Sequence, residues 1–273
     1  MIANHGRLKP IIFVHIPKAS GTTISKLLRR WFEPREIYEV GTKAREEDAT
    51  ELRRLPKPRL ILGHAAFGLH EALHEPATYV TVLRDPVSRL ISHYHYAGRT
   101  PMHPLHQRIR NGELTLCDVA RRLPNLQTRY IGGLVQGNPT EQTLEQAKAN
   151  IDRHFGIAGL AERFDETVML LHRKFHQRVW PFVSENVSPR SPSSQIMADE
   201  LREVRSQNTL DYELYDFVRT RFDRAVKEEG LLFPQSVKVL RIANRFADRG
   251  RRTFLACRAL AKLRRPSRAS GRE

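Results

Sequence analysis

Cysteine is nearly missing: two occur in 273 residues, Cys117 and Cys257, far apart and with no ligand spacing around either. A disulfide scaffold and a cysteine metal centre are thereby excluded, and the two thiols read as buried or incidental. Long apolar runs are missing as well. Residues 1–9 are polar, and the first apolar run, 11–16, is far too short to span a bilayer or to form the core of a secretory signal, so a soluble cytoplasmic chain is the expectation. Serine-hydrolase signatures and internal repeats are absent. The pairs His70/His74 and His93/His95 have spacings that suit a helix or strand, but no Cys, Asp or Glu converges with them, and no metal site is expected.

What the chain does have is length, apolar content and positive charge. With 273 residues and 40% hydrophobic side chains it can bury a real core, and one α/β domain is expected. The charge is uneven: of a formal +16, residues 241–273 carry +9, from 11 Lys/Arg against 2 Asp/Glu. We therefore divide the chain into a domain, 1–239, and a basic tail, 240–273, in which Leu255, Ala259, Leu260 and Leu263 have the spacing of a short amphipathic helix. The tail fits a peripheral contact with an anionic membrane or simple solvation. A nucleic-acid-binding module would rest on charge alone, so nucleic acid is not an expected partner; oligomeric state is not legible.

The informative segment is Ile11-Ile-Phe-Val-His-Ile-Pro-Lys-Ala-Ser-Gly-Thr-Thr23. An apolar strand enters a small-residue turn and then a helix, the arrangement that presents backbone N–H groups and a helix dipole to a phosphate. Gly21 frees the backbone, Lys18 adds a full charge, and the amides around Gly21, Thr22 and Thr23 are the expected anion donors, with Ala19 and Ser20 forming the turn. The Walker A loop is a poor match, because Lys18 precedes the glycine instead of following it. A generic turn is the plain alternative. A second strand-to-helix run, Tyr79-Val-Thr-Val-Leu-Arg-Asp-Pro-Val-Ser-Arg-Leu-Ile-Ser-His-Tyr94, puts Pro86 at a helix start and places Arg84 and Ser92 where they can meet one anion. Its plain alternative is an Asp85-capped helix carrying Arg89 as a solvated charge.

The first segment resembles the 5'-phosphosulfate loop of the carbohydrate sulfotransferases, and the second resembles their Leu-Arg-Asp-Pro-x-x-Arg-x-x-Ser motif. Asn125-Leu-Gln-Thr-Arg-Tyr, Gly159-Leu-Ala-Glu-Arg-Phe-Asp-Glu, Asn186-Val-Ser and Asn208-Thr-Leu-Asp-Tyr-Glu-Leu-Tyr extend the likeness over most of 9–230. They are similar to bacterial relatives of heparan-sulfate and uronyl 2-O-sulfotransferases. The resemblance implies a metal-independent enzyme that moves a sulfuryl group from 3'-phosphoadenosine 5'-phosphosulfate (PAPS) to a hydroxyl of a glycan or glycoconjugate. It implies that Lys18 and residues 19–23 hold the 5'-phosphosulfate, that Arg84 and Ser92 hold the 3'-phosphate, and that Asn186, Ser188 and Arg190 add nucleotide contacts. Gly63-His-Ala-Ala-Phe67 matches the setting of that group's histidine base, which makes His64 the expected base; the family's second histidine is replaced by Ala66. His64 also ends a strand-like run, and an imidazole with an intrinsic pKa near ~6.5 can accept a proton at neutral pH. His15, His70, His74, His93 and His95 rank below it. Arg99, His103, Arg108, Arg110 and Arg129 are acceptor-facing candidates. A P-loop kinase or ATPase, or a nucleotide-binding protein without catalysis, is the competing reading.

Breakers and periodicity give the fold expectation: a P-loop-like three-layer α/β domain with a central parallel sheet flanked by helices. Strands are expected at 11–16, 37–40, 60–64, 78–83 and 157–160. Helices are expected at 22–33, 44–54, 86–97 and 162–175 and as a pair over 194–229, with loop and short helices at 98–124.

Overall fold

A computed structural model describes residues 9–40, 45–54, 58–73, 75–182 and 198–263. Five strands, β1 (Ile11–Val14), β2 (Ile37–Val40), β3 (Leu60–Gly63), β4 (Thr78–Leu83) and β5 (Phe155–Leu160), form one parallel sheet in the order β2-β3-β1-β4-β5. β1 is central. All four of its side chains are buried, as a strand covered on both faces of a parallel sheet requires, and Ile11 stands opposite both Leu60 and Thr78. The strand ends at Val14 and not at Ile16, but His15 N–H still donates to the Gly63 carbonyl at 2.9 Å, so the chain leaves the sheet gradually.

Helices flank the sheet: α1 (Gly21–Arg29), α2 (Arg45–Arg54), α3 (Pro86–Arg99), α7 (Glu141–His154), α8 (Phe164–Lys174), α10 (Thr209–Glu228) and the first turns of α11 (Phe233–Leu263). One large core joins the strands to α1, α7, α8, α10 and α11, with Phe233, Val237 and Leu240 buried in it. Because α11 is continuous through residues 239 and 240, the boundary read from charge falls inside a helix. A smaller core lies under α3, α5 (Leu116–Arg122) and α9 (Ala198–Ser206), built from Val87, Leu90, Leu116, Cys117, Val119, Ala120 and Val204. The expected loop-and-short-helix region 98–124 holds α4 (His106–Arg110) and α5.

Two helices had no counterpart in the sequence reading, α6 (Leu126–Gly132) and α7. For α7 a signal existed: Thr140 accepts a bond from Thr143 N–H, and Leu144, Ala147 and Ile151 repeat at helical spacing on its buried face.

Candidate active site

The order of the sheet locates the site. β1 and β4 are neighbours, yet the chain leaves β1 toward one edge and β4 toward the other, which opens a crevice at their carboxyl ends. The loop after β1 is folded by two left-handed residues, Lys18 (φ 67°) and Ser20 (φ 63°). The unusual backbone therefore falls beside Gly21 and not on it. Gly21 is needed for space: a Cβ there would overlap the His15 ring, so α1 packs straight onto that imidazole. The first turn of α1 carries no acid, and Ser20 makes no side-chain cap. The N–H groups of Gly21, Thr22 and Thr23 thus sit where a helix supplies no carbonyl of its own, at the positive end of its dipole. Ala19 is different: its side chain is buried and its amide donates to Ile16 at 3.3 Å, so it shapes the loop instead of facing an anion.

The loop after β4 locks onto the first. Arg84 Nη1 donates to the Lys18 carbonyl at 3.2 Å, and the Lys18 ammonium lies 4.0 Å from the centre of the Tyr96 ring on α3. Burial, and after it the charges of Arg84 and Arg99, hold the Lys18 pKa below its ordinary value. The charges acting on Lys18 are thus both positive, a pocket of cations suited to an anion. Asp85 caps α3 through Ser88 N–H at 2.8 Å.

Arg89 departs from the solvated-charge alternative. It is fully buried, and its guanidinium nitrogens make no hydrogen bond. The Asp211 carboxylate is the acid acting on it. Asp211 in turn accepts from Gln127 N–H (3.1 Å), Thr128 N–H (2.7 Å) and Thr128 Oγ1 (2.9 Å), fixing the start of α6. Gln127 then spans the Arg84 peptide, accepting from its N–H at 2.9 Å and donating to its carbonyl at 2.8 Å. Nothing local in the sequence marks Gln127 for this role beyond its place in the Asn125-Leu-Gln-Thr-Arg-Tyr motif. Ser92 is buried (9% exposed) on α3.

His64 follows β3. Its Nδ1 lies 2.7 Å from the His15 carbonyl, and its ring centre lies 4.3 Å from that of His15. A carbonyl can only accept, so Nδ1 carries the hydrogen and Nε2 of the neutral ring keeps its lone pair. The His64 side chain is exposed. His15 is held neutral, its pKa lowered to about 3 by burial and then by His64 and Lys18. Lys18, Arg84, His15 and His64 thus form one connected cluster.

The other candidates separate. His93 lies beside His103 (5.3 Å between rings), and burial, Arg89, His103 and Lys18 bring its pKa to about 4. His103 also meets Tyr96 at 5.9 Å, so it and Arg99 border the cluster. His70 bonds Tyr79, Arg99 donates to the His95 carbonyl, Arg108 pairs with Glu113, Arg129 bonds the Gly137 carbonyl, and Arg110 is exposed on α4. His74, Asn186, Ser188 and Arg190 lie outside the described residues. Among the described residues, no group of three or more His, Cys, Asp or Glu is placed to hold a metal.

The switch-point crevice of this parallel sheet gathers a lysine, an arginine, a helix N-terminus and an exposed imidazole, a set of groups able to meet an anion. The galactose-3-O-sulfotransferase family model matches residues 55–258, most of the chain. The chain belongs to that family of carbohydrate sulfotransferases. Heparan-sulfate 6-O-sulfotransferase 1-B of Danio rerio is 24% identical over 289 residues, covering 85% of this chain and 70% of that protein. Human heparan-sulfate 6-O-sulfotransferase 1 is 28% identical over 180 residues, covering 54% and 43%, and human galactose-3-O-sulfotransferase 3 is 24% identical over 253 residues, covering 81% and 58%. Of the solved structures, mouse sulfotransferase SULT7A1 complexed with PAP aligns with a TM-score of 0.41 and 16% identity, over 63% of this chain and 60% of that one. These relatives are named for 6-O and 3-O positions, whereas the motifs were likened to 2-O enzymes; the carbohydrate sulfotransferase class is common to both. No helix among the described residues is long and apolar enough to cross a membrane.

Proposed function

We propose that the protein transfers a sulfuryl group from PAPS to a hydroxyl of a carbohydrate or glycoconjugate, with His64 as base. The observation that carries the reading is the joining of the two strand-end loops by the Arg84–Lys18 bond, which gathers cations beside the open N-terminus of α1. In this reading the Gly21, Thr22 and Thr23 amides and Lys18 hold the 5'-phosphosulfate, while Arg84 and Ser92 take the 3'-phosphate. Lys18 offsets the negative charge that builds on the leaving phosphate as the S–O bond lengthens. His64 Nε2 removes the acceptor proton; the His15 carbonyl orients the ring and stabilises the imidazolium through Nδ1–H.

Arg99 and His103, at the border of the cluster, are the candidates to meet an acidic sugar. A cytoplasmic place of action belongs to the same proposal and is read by cell fractionation. The test is transfer of labelled sulfate from PAPS to a panel of glycans, including galactosides and heparan-type chains. Transfer by the native protein that is abolished in both Lys18→Ala and His64→Ala supports the proposal; transfer unchanged in His64→Ala removes the base assignment.

A further inference from the structure

Helix α11 carries apolar residues on two opposite faces, and the main core uses only one. Phe233, Val237 and Leu240 are buried, and Asn244 continues that face, bonding Phe182 N–H at 2.9 Å and Asp165 at 3.3 Å. Arg241, beside it, bonds Asp165 at 2.9 Å, so the helix is fixed in rotation. Successive residues of a helix turn by about 100°, which sends Val239, Ile242 and Phe246 to the opposite side. These three are 66%, 44% and 65% exposed, and Leu231 and Leu232, just before the helix, are 91% and 74% exposed. Lys238, Arg245 and Arg249 lie along one margin of this stripe. Over the whole helix, eight Lys/Arg stand against one acid, Asp248.

We propose that this outer face of α11 docks on an anionic lipid surface, with Phe246, Ile242, Val239 and the Leu231–Leu232 pair entering the headgroup boundary and the basic margin resting on lipid phosphates. The charge chooses the occupant. A second copy of this helix would bring two strongly basic surfaces together, whereas a negatively charged bilayer complements both the stripe and its margin. The face is independent of the donor crevice and carries no catalytic group.

Sedimentation of the full chain with phosphatidylcholine vesicles, with and without phosphatidylserine, tests it. Binding is expected only with phosphatidylserine, weakening with salt, and falling about tenfold or more in Ile242→Ser/Phe246→Ser, since each removes buried apolar area at the boundary. Both side chains are exposed, so that variant should keep the native melting temperature and circular dichroism. Lys238→Ser/Arg245→Ser should also bind less. Equal vesicle binding by the native chain and Ile242→Ser/Phe246→Ser overturns the proposal, as does an absence of binding by the native chain. A dimer seen by light scattering that disappears in Ile242→Ser/Phe246→Ser, without vesicle binding, overturns it in favour of a second copy.

Discussion

At the scale of single residues, the proposed function divides the crevice into groups that would meet the reactants and groups that would hold them in place. Lys18 belongs to the first set. Removing a donor aimed at developing charge costs on the order of 10²–10³ in turnover, so Lys18→Ala should lose far more kcat than donor affinity, as steady-state kinetics and donor titration will report separately. Gln127 belongs to the second set. Its amide satisfies both the N–H and the carbonyl of Arg84, and an alanine there leaves two peptide groups unmet at a cost of about 1–3 kcal/mol each where they are shielded from water. Gln127→Ala is expected to raise the donor dissociation constant while leaving the acceptor KM in place; an unchanged donor affinity would deny the clasp. Arg89 is the residue whose removal should hurt stability most. Arg89→Ala empties a fully buried site and removes the positive charge that acts on the buried Asp211 carboxylate, so a loss of about 2–5 kcal/mol is expected, readable by urea denaturation.

At the scale of elements, α11 ties the start of the basic segment to the domain. Phe233 is 1% exposed and stacks under the Arg173 guanidinium, so the helix begins as part of the domain core. Phe233→Ala should destabilise the whole fold by about 3–5 kcal/mol in a single cooperative transition, whereas a detached tail would leave the unfolding midpoint unmoved. The same contrast explains what could be read from sequence. The apolar runs of β1 and β4, Pro86 at the start of α3 and the lysine before Gly21 announced the sheet and both strand-end loops, because their signals are local. The Gln127–Arg84 clasp and the Asp211 partnership join segments 43 and 84 residues apart, and no local pattern marks them. His64 was legible through its strand-end place. Its tautomer was not, since that depends on a carbonyl 49 residues away. Left-handed Lys18 and Ser20 were hidden for another reason: neither residue type favours positive φ, and the local sequence placed the freedom on Gly21 instead.

At the scale of the whole molecule, three histidines tie stability to pH. His15 is held to about 3, and His93 and His172 to about 4, each mainly by burial, against ~6.5 in an unfolded chain. Unfolding then takes up protons between these values. The stabilisation is fully present above about pH 6.5 and is lost as the pH falls toward 4, so the melting temperature should decline steadily over that window. A flat profile from pH 7 to 5 would contradict the buried neutral state of these rings.

The central claim is that the crevice between β1 and β4 is a site for a nucleotide bearing both 5'- and 3'-phosphates. Calorimetric titration with adenosine 3',5'-bisphosphate, beside adenosine 5'-monophosphate and magnesium-ATP, tests it most directly. Micromolar binding that depends on the 3'-phosphate and weakens in Arg84→Ala is expected. Equal affinity for the monophosphate, or a preference for magnesium-ATP, would contradict it.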